Sequence, residues 1–220
     1  MMATPPSALL LHRFAPLSLV SGVAGLVAHQ AHDIYALWAA WEAECGVRCA
    51  PPFWAVAWPA ARVLARYLLT HPENVEGRCV LDLGCGGAVA AIAAARAGAA
   101  RVIANDVVPA AVQVAALNAA ANSVALETSC ADLTAGGWPT GVEAILLADM
   151  FYEEGPARAM TTALRRAAGR GVRVLIADSG RPFSPRTGIE ELHAETVAVS
   201  TAVEGVAERR VRVFDLLAGS

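Results

Sequence analysis

Apolar residues in the first third of the chain recur at three- and four-residue intervals. Ile34, Leu37, Trp38 and Trp41 share one helical face. Asp33 is a suitable N-cap for this helix and Gly46 a suitable stop. Pro51 and Pro52 break the pattern. A second helix then runs from Trp58-Pro59, with proline in its first turn, to about Thr70. From Arg78 the period changes. CVLDLG is a short apolar run ended by glycine, as in a buried strand. RVIAND, ALETSCADL and EAILLADMFY hold the second, third and fourth strands, and VRVLIADSG the fifth. Helical segments lie between them: AVAAIAAARAG, which stops at Gly98, then PAAVQVAALNAAAN and residues 155–168. Beyond the loop RPFSPRTG, the stretches HAETVAVSTAV and RRVRVFDLL read as a closing hairpin with its turn around Glu204-Gly205.

Strands alternating with helices predict an α/β fold, with a doubly wound and mostly parallel sheet covered on both faces. The closing hairpin completes seven strands and gives the sheet an antiparallel edge. The chain divides into an N-terminal arm over 1–32 and one unit over 33–220. That unit comprises a helical extension over 33–76 and a core over 77–220. Within the arm, residues 8–31 resemble a weak leader, but His12, Arg13 and Pro16 interrupt the apolar run and leave it too broken to span a bilayer. The segment reads as an ill-ordered end or as a packing arm. In an open parallel sheet, ligands bind outside the carboxyl ends of the strands, where the strand order reverses. The chemistry is therefore expected at Asp82-Leu83-Gly84, Asn105-Asp106, Cys130-Ala131-Asp132 and Asp149-Met150-Phe151-Tyr152.

Composition narrows the function classes. Apolar residues make up 56% of the 220 and charged residues 17%, which excludes a disordered chain. A net charge of −3 offers no broad basic surface for nucleic acid. Five scattered cysteines match neither a disulfide framework nor a zinc pattern and fit a reducing, cytoplasmic setting. His29, His32 and Asp33 could hold a metal, but a solvated helix start is the favoured reading, and no metal is expected. All 17 basic residues are arginine, with no lysine in the chain, in keeping with its alanine-rich base composition.

The run Asp82-Leu-Gly84-Cys-Gly86-Gly87 permits a tight turn and close approach of backbone to a ligand. A dinucleotide fingerprint would need a third glycine at position 89, which is valine. A carboxylate just before the first glycine repels a pyrophosphate and attracts a cationic amino group. S-adenosylmethionine carries an ammonium and a sulfonium, and Asp82 suits it. Asp106, 24 residues on, can accept both hydroxyls of a ribose, or else cap the helix at Pro109. Asp132 could meet an adenine amino group, or serve as a cap or a solvated charge. Trp54 and Trp58, four apart on a helix-like segment, would share one face.

VLDLGCGGAVAAIAA followed by VIANDVVPAA and LNAAAN resembles the class I S-adenosylmethionine-dependent methyltransferases, which implies a Rossmann-like sheet. Pro51-Pro-Phe-Trp-Ala-Val-Ala-Trp58-Pro59 before the core, Asp149-Met-Phe-Tyr152 at the fourth strand end and Gly180-Arg181-Pro182 after the fifth narrow the likeness. Together they resemble the seven-β-strand protein lysine methyltransferases, in particular the electron transfer flavoprotein β-subunit lysine methyltransferase family. The likeness covers roughly residues 33–216.

The resemblance implies a cofactor lying along Asp82, Gly84, Cys85 and Gly86, with Asp106 and Val107 at its ribose, Asp132 and Leu133 nearby and Trp58 packed against it. It implies that Asp149 and Tyr152 face the acceptor amine. The product is then S-adenosylhomocysteine, and the partner a protein presenting an exposed lysine, such as the flavoprotein β subunit or a ribosomal protein, with no nucleic acid or membrane involved. A small-molecule N- or O-methyltransferase on the same scaffold is the alternative. The chain departs from the pattern at Ala88, where the family has glycine and where a helical backbone would make alanine harmless. It departs again at Val108, and at Ser179, where proline is usual.

Overall fold

The computed structural model describes residues 4–218. Its main sheet has seven strands in the order β5-β4-β3-β6-β7-β9-β8. These are β3 (Cys79–Leu83), β4 (Arg101–Asn105), β5 (Glu127–Ser129), β6 (Ala144–Ala148), β7 (Arg173–Asp178), β8 (Ile189–Ala198) and β9 (Glu208–Leu216). The first five are parallel, and β9 joins β7 and β8 antiparallel. From β3 the chain steps outward through α4 (Val89–Arg96), β4, α5 (Pro109–Ala121) and β5, then returns to place β6 on the other side of β3. The order reverses there, and the crevice opens at the tips of β3, β4 and β6.

Both faces of the central strands are dry. Along β6, Ala144 and Leu146 face one apolar layer while Ile145 and Leu147 face the other; along β7, Leu175 and Ala177 alternate with Val174 and Ile176. This two-sided burial is why these strands read as unbroken apolar runs. The first layer contains α3 (Pro59–Thr70) and α4, the second α6 (Glu154–Ala168). In α4 the run Val89 to Ala94 is buried throughout, its alanines letting the helix lie close to the sheet.

Residues 8–29 form α1 (Ala8–Phe14) and a small antiparallel hairpin, β1 (Leu17–Leu19) with β2 (Val27–His29). Leu10, Leu11, Val20, Leu26 and Ala28 are buried against the rest of the chain. The helix α2 (Ile34–Cys45) follows, capped by the Asp33 carboxylate, which accepts from the Tyr35 and Ala36 amides, and stopped by Gly46 in the left-handed conformation. The backbone edge of β2 needs partners, and two asparagines one turn apart, Asn118 on α5 and Asn122 at its C-cap, supply them. The Val27 amide donates to Asn122 Oδ1 at 3.1 Å and the Asn122 side-chain amide donates to the Val27 carbonyl at 2.6 Å. The His29 amide donates to Asn118 Oδ1 at 2.8 Å, and Asn118 Nδ2 donates to the Gly87 carbonyl at 2.9 Å.

Three sequence expectations need correction. The closing hairpin does not continue as strand to its turn: β8 ends at Ala198, and Thr201–Glu204 is a helical turn, α7, closed by Gly205 at φ 70°. Trp54 and Trp58 do not share a helical face, because Phe53–Ala55 is a 3-10 turn and the chain is extended at Val56. Trp54 is buried edge-on against Trp41, with ring centroids 5.8 Å apart, whereas Trp58 sits at the crevice rim. Finally, Ala88 is not helical but left-handed, at φ 61° and ψ 29°. A conformation that costs an L-residue about 1 kcal/mol is held there by its amide bond to the Cys85 carbonyl at 2.7 Å and by complete burial.

Asn118 ties the hairpin to the glycine turn while itself fully buried. Asn118→Ala strands the His29 amide and the Gly87 carbonyl, and should destabilise the protein by about 2–4 kcal/mol in urea titration. Hydrogen exchange at the His29 amide should rise with it. A variant within about 0.5 kcal/mol of wild type would mean that the clasp contributes nothing.

Candidate active site

The turn after β3 is built for close approach. Gly84 and Gly86 have φ of 72° and 50°. The amides of Gly84 and Cys85 both donate to the Asn105 carbonyl at 2.9 Å, which joins the tips of β3 and β4. A Cβ on Gly84 would run into the Met150 side chain, and one on Gly87 would come within 2.9 Å of the Trp54 carbonyl oxygen. The tip of β6 and the 53–55 turn therefore close over this loop.

Asp82 lies beneath the turn and is 2% exposed. Its Oδ2 accepts the Ala91 amide at 3.0 Å, and among the described residues no cation pairs with it. Burial pushes the carboxyl up to about 7 from an ordinary 3.8. The Ala91 hydrogen bond opposes the rise, and the charge of Asp106 adds to it. The same surroundings hold the Cys85 thiol well above its ordinary range, burial first and then the two carboxylates.

Asp106 bridges two loops rather than capping α5. Oδ2 accepts the Gly86 amide at 3.0 Å and Oδ1 the Val108 amide at 2.9 Å. Burial raises its carboxyl, and these amide bonds hold the rise back. Asn105, named in the sequence only as part of a strand end and given no role there, is buried and braces the neighbouring tip: its Nδ2 donates to the Ser129 carbonyl and hydroxyl and to the Ala131 carbonyl, at 3.0–3.2 Å. Its position at the end of an apolar run, just before Asp106, was the available signal. Val107 is exposed, while Leu133 is buried in the layer beneath. Asp132 faces solvent and accepts the Thr134 amide and hydroxyl at 3.0 and 2.7 Å, which lowers its carboxyl.

Asp149 ends β6 in the left-handed region, at φ 57°, and is 6% exposed. Its carboxylate is heavily engaged. Oδ1 accepts the Ser179 amide at 3.0 Å, the Ser179 hydroxyl at 2.6 Å and Arg181 Nε at 3.0 Å. Oδ2 accepts the Ala60 amide at the start of α3, at 3.2 Å. Ser179 thus contributes two donors where a proline would contribute none.

An aromatic rim adjoins Asp149 through Arg181. Phe53 meets Trp58 edge-on, with centroids 5.6 Å apart, and Tyr152 likewise at 6.4 Å. Phe53 and Tyr152 are 45% and 48% exposed, so the rim is open to solvent. The Tyr152 hydroxyl is raised by partial burial, then by Glu153 and Asp106. Arg181 Cζ lies 5.3 Å over the Trp58 ring. Phe151, by contrast, is a core residue with no exposure. Phe53 and Arg181 had no role in the sequence reading, because the contacts that define them cross from the N-terminal extension and the loop after β7.

The donor set fits S-adenosylmethionine. A buried carboxylate without a counter-cation calls for a cationic group, and a second carboxylate at the next strand tip keeps lone pairs for hydroxyls. A glycine turn flanked by two carboxylates does not fit a pyrophosphate.

The fold, a mostly parallel seven-stranded sheet with antiparallel closing strands, is shared with solved methyltransferase structures. The family described as ribosomal protein L11 methyltransferase (PrmA) matches residues 66–150. The chain is similar to electron transfer flavoprotein beta subunit lysine methyltransferases. The Danio rerio protein is 44% identical over 131 residues, covering 59% of this chain and 51% of that protein. The Homo sapiens protein is 38% identical over 148 residues, covering 64% and 55%. The chain spans about half the length of these curated relatives. Among solved structures, magnesium protoporphyrin IX methyltransferase from Synechocystis, with S-adenosylmethionine bound, matches at TM-score 0.51 and 15% identity, covering 70% of this chain and 77% of that one. A Thermoplasma acidophilum protein matches at 0.55 and 18%, covering 73% and 89%.

The Asp82 carboxyl keeps its proton to about pH 7 in the folded protein and loses it near 4 when unfolded. Between those values the folded state binds more protons, so ligand-free stability should fall as pH rises from 4 to 7, and Asp82→Asn should flatten that slope. Urea titrations at pH 4.5, 6 and 7.5 read it directly. An unchanged slope in the variant would remove Asp82 as its source.

Proposed function

We propose that this protein is an S-adenosylmethionine-dependent protein lysine N-methyltransferase. The observation that carries this reading is the pairing of two sites one strand apart. At the β3 tip, a buried carboxylate lacks a cation among the described residues; at the β6 tip, an aromatic rim open to solvent adjoins a second carboxylate that is already bound to one.

Asp82 and the turn from Gly84 to Gly86 would hold the methionine end of the cofactor and Asp106 its ribose, with Val107, Asp132 and Leu133 towards the base. When bound, the cofactor supplies a methyl group on a cationic sulfur. The chain's remaining task is to align an uncharged amine with that methyl, and alignment of this kind supplies much of the rate. A free lysine titrates near about 10.4, so the rim has to favour the neutral amine. Phe53, Trp58 and Tyr152 would do so once a docked acceptor covers the rim and displaces its water, and their ring faces then stabilise the charge that develops on nitrogen. Asp149 orients the amine or passes its proton towards solvent.

An open rim suits a lysine carried on a folded partner better than a small molecule, which would call for an enclosed pocket. A cleft of about 390 Å³ lined by Gln30, His32, Pro59, Arg62 and Glu204 adjoins the rim and offers room for a flanking segment. The similarity to flavoprotein β-subunit lysine methyltransferases supports that subunit, or a ribosomal protein, as the acceptor class. Five free cysteines accord with a cytoplasmic setting. No helix among the described residues is long and apolar enough to cross a membrane.

Calorimetric titration with S-adenosylmethionine should show binding that Asp106→Ala weakens at least tenfold. In cell lysate, tritiated cofactor should label one or a few proteins, and Asp149→Asn should lower that labelling about 100-fold while still binding the cofactor. Label confined to the small-molecule fraction would favour the alternative N- or O-methyltransferase. Absence of binding would end both readings.

A further inference from the structure

Arg181 stands where an acceptor cation would stand. Its Nε is 3.0 Å from Asp149 Oδ1 and its Cζ lies 5.3 Å over the Trp58 ring, so a carboxylate and an aromatic face already share a cation. The side chain is 18% exposed and Asp149 4%. The backbone is aimed by Asp178, whose Oδ1 accepts the Gly180 and Arg181 amides at 2.8 and 3.1 Å. The far end of the guanidinium has a second anchor. Nη2 and Nη1 reach the Glu204 carboxylate at 3.0 and 3.5 Å, and Glu204 is held in turn by Arg209 Nε at 3.1 Å. Burial works against the guanidinium charge, and Asp149 and Glu204 more than offset it.

We propose that Arg181 is the specificity-determining residue of the acceptor slot: its guanidinium fills the cation position between Asp149 and Trp58, and an acceptor lysine enters by displacing it towards Glu204. This rests on the methyltransferase reading above. The exchange conserves charge, since one cation replaces another beside Asp149 and Arg181 keeps a carboxylate partner. It also selects acceptors. A free amine must break a buried ion pair with its own binding energy alone, whereas a lysine on a docked protein brings contacts from elsewhere.

The geometry gives a direct test. In an Arg181→Lys variant the amine nitrogen falls one bond beyond the position of Arg181 Nε, where Cζ now lies over Trp58. If this is the acceptor position, the variant methylates itself. The side-chain amine loses a proton to water, its lone pair forms the new bond to the methyl carbon, and the electrons of the broken methyl–sulfur bond stay on sulfur. The wild-type chain contains no lysine, so the background is clean apart from the N-terminal amine.

Intact-mass analysis of tag-free Arg181→Lys with S-adenosylmethionine should show one or more added methyl groups, mapped by peptide sequencing to position 181. Arg209→Lys, one ion pair further away, should gain none. A second measurement needs no cofactor. Arg181→Ala leaves Asp149 without its ion pair, and n-butylammonium at about ten times its dissociation constant should raise the melting temperature of that variant by about 3 °C but not that of wild type.

A cofactor-binding Arg181→Lys protein left unmodified at position 181 would overturn the proposal. So would an amine response equal in Arg181→Ala and wild type. Failure of the wild type to bind S-adenosylmethionine would instead end the methyltransferase reading, and the amine titration would still decide whether Arg181 fills a cation slot.

Discussion

Three carboxylates, Asp82, Asp106 and Asp149, sit at neighbouring strand tips in one crevice, and the rest of the site follows from how their charge is tolerated. Each is handled differently. Asp106 is shared between two backbone amides, Asp149 is paired with a guanidinium, and Asp82 has one amide and no cation. In an apolar sheet the last arrangement is costly for the charged form. The fold tolerates it because the carboxyl can hold a proton. Uneven compensation of like charges therefore distinguishes the three positions, and it is the basis on which the proposed function assigns the cofactor's cationic end to Asp82.

That arrangement needs the strand tips to be close, and small residues make them so. Met150 lies against Gly84 and the Trp54 carbonyl against Gly87, so β6 and the 53–55 turn meet the loop at positions where a side chain would not fit. The left-handed Ala88 shows the same demand from the other side. The loop requires that backbone conformation, and the chain accepts a methyl group there.

The fold was legible because burial on both faces leaves an unmistakable pattern: four apolar runs, each ended by an acidic or glycine turn, with helices between and one short polar strand, Glu127–Ser129, at the edge. Helix limits marked by Asp33, Gly46, Pro59 and Gly98 were readable from capping chemistry. The candidate site was legible as far as strand tips carry it. Asp82, Asp106 and Asp149 all lie at the crevice, although the Gly180-Arg181-Pro182 motif did not announce that its arginine would pair with Asp149. What was not legible depends on long-range contact or on a single torsion angle. Periodicity placed Trp54 and Trp58 on one face because spacing cannot report the extended residue between them. It could not give Phe53 its neighbours, and it read the end of β8 as strand because Thr201, Ala202 and Val203 carry no helical signature alone. Ser179 looked like a defect beside the usual proline until its two hydrogen bonds to Asp149 were visible.

The asparagine pair at the end of α5 has a wider consequence. One buried side chain, Asn118, bonds both the β2 edge and the carbonyl of Gly87, so the N-terminal hairpin and the ligand loop share a fastening despite lying far apart in sequence. Regions joined in this way open together as one cooperative unit. Peeling away the α1 and β1–β2 segment would then cost more than its own buried surface: it would loosen the glycine turn after β3, and anything that steadied that turn would in turn protect the hairpin from proteases.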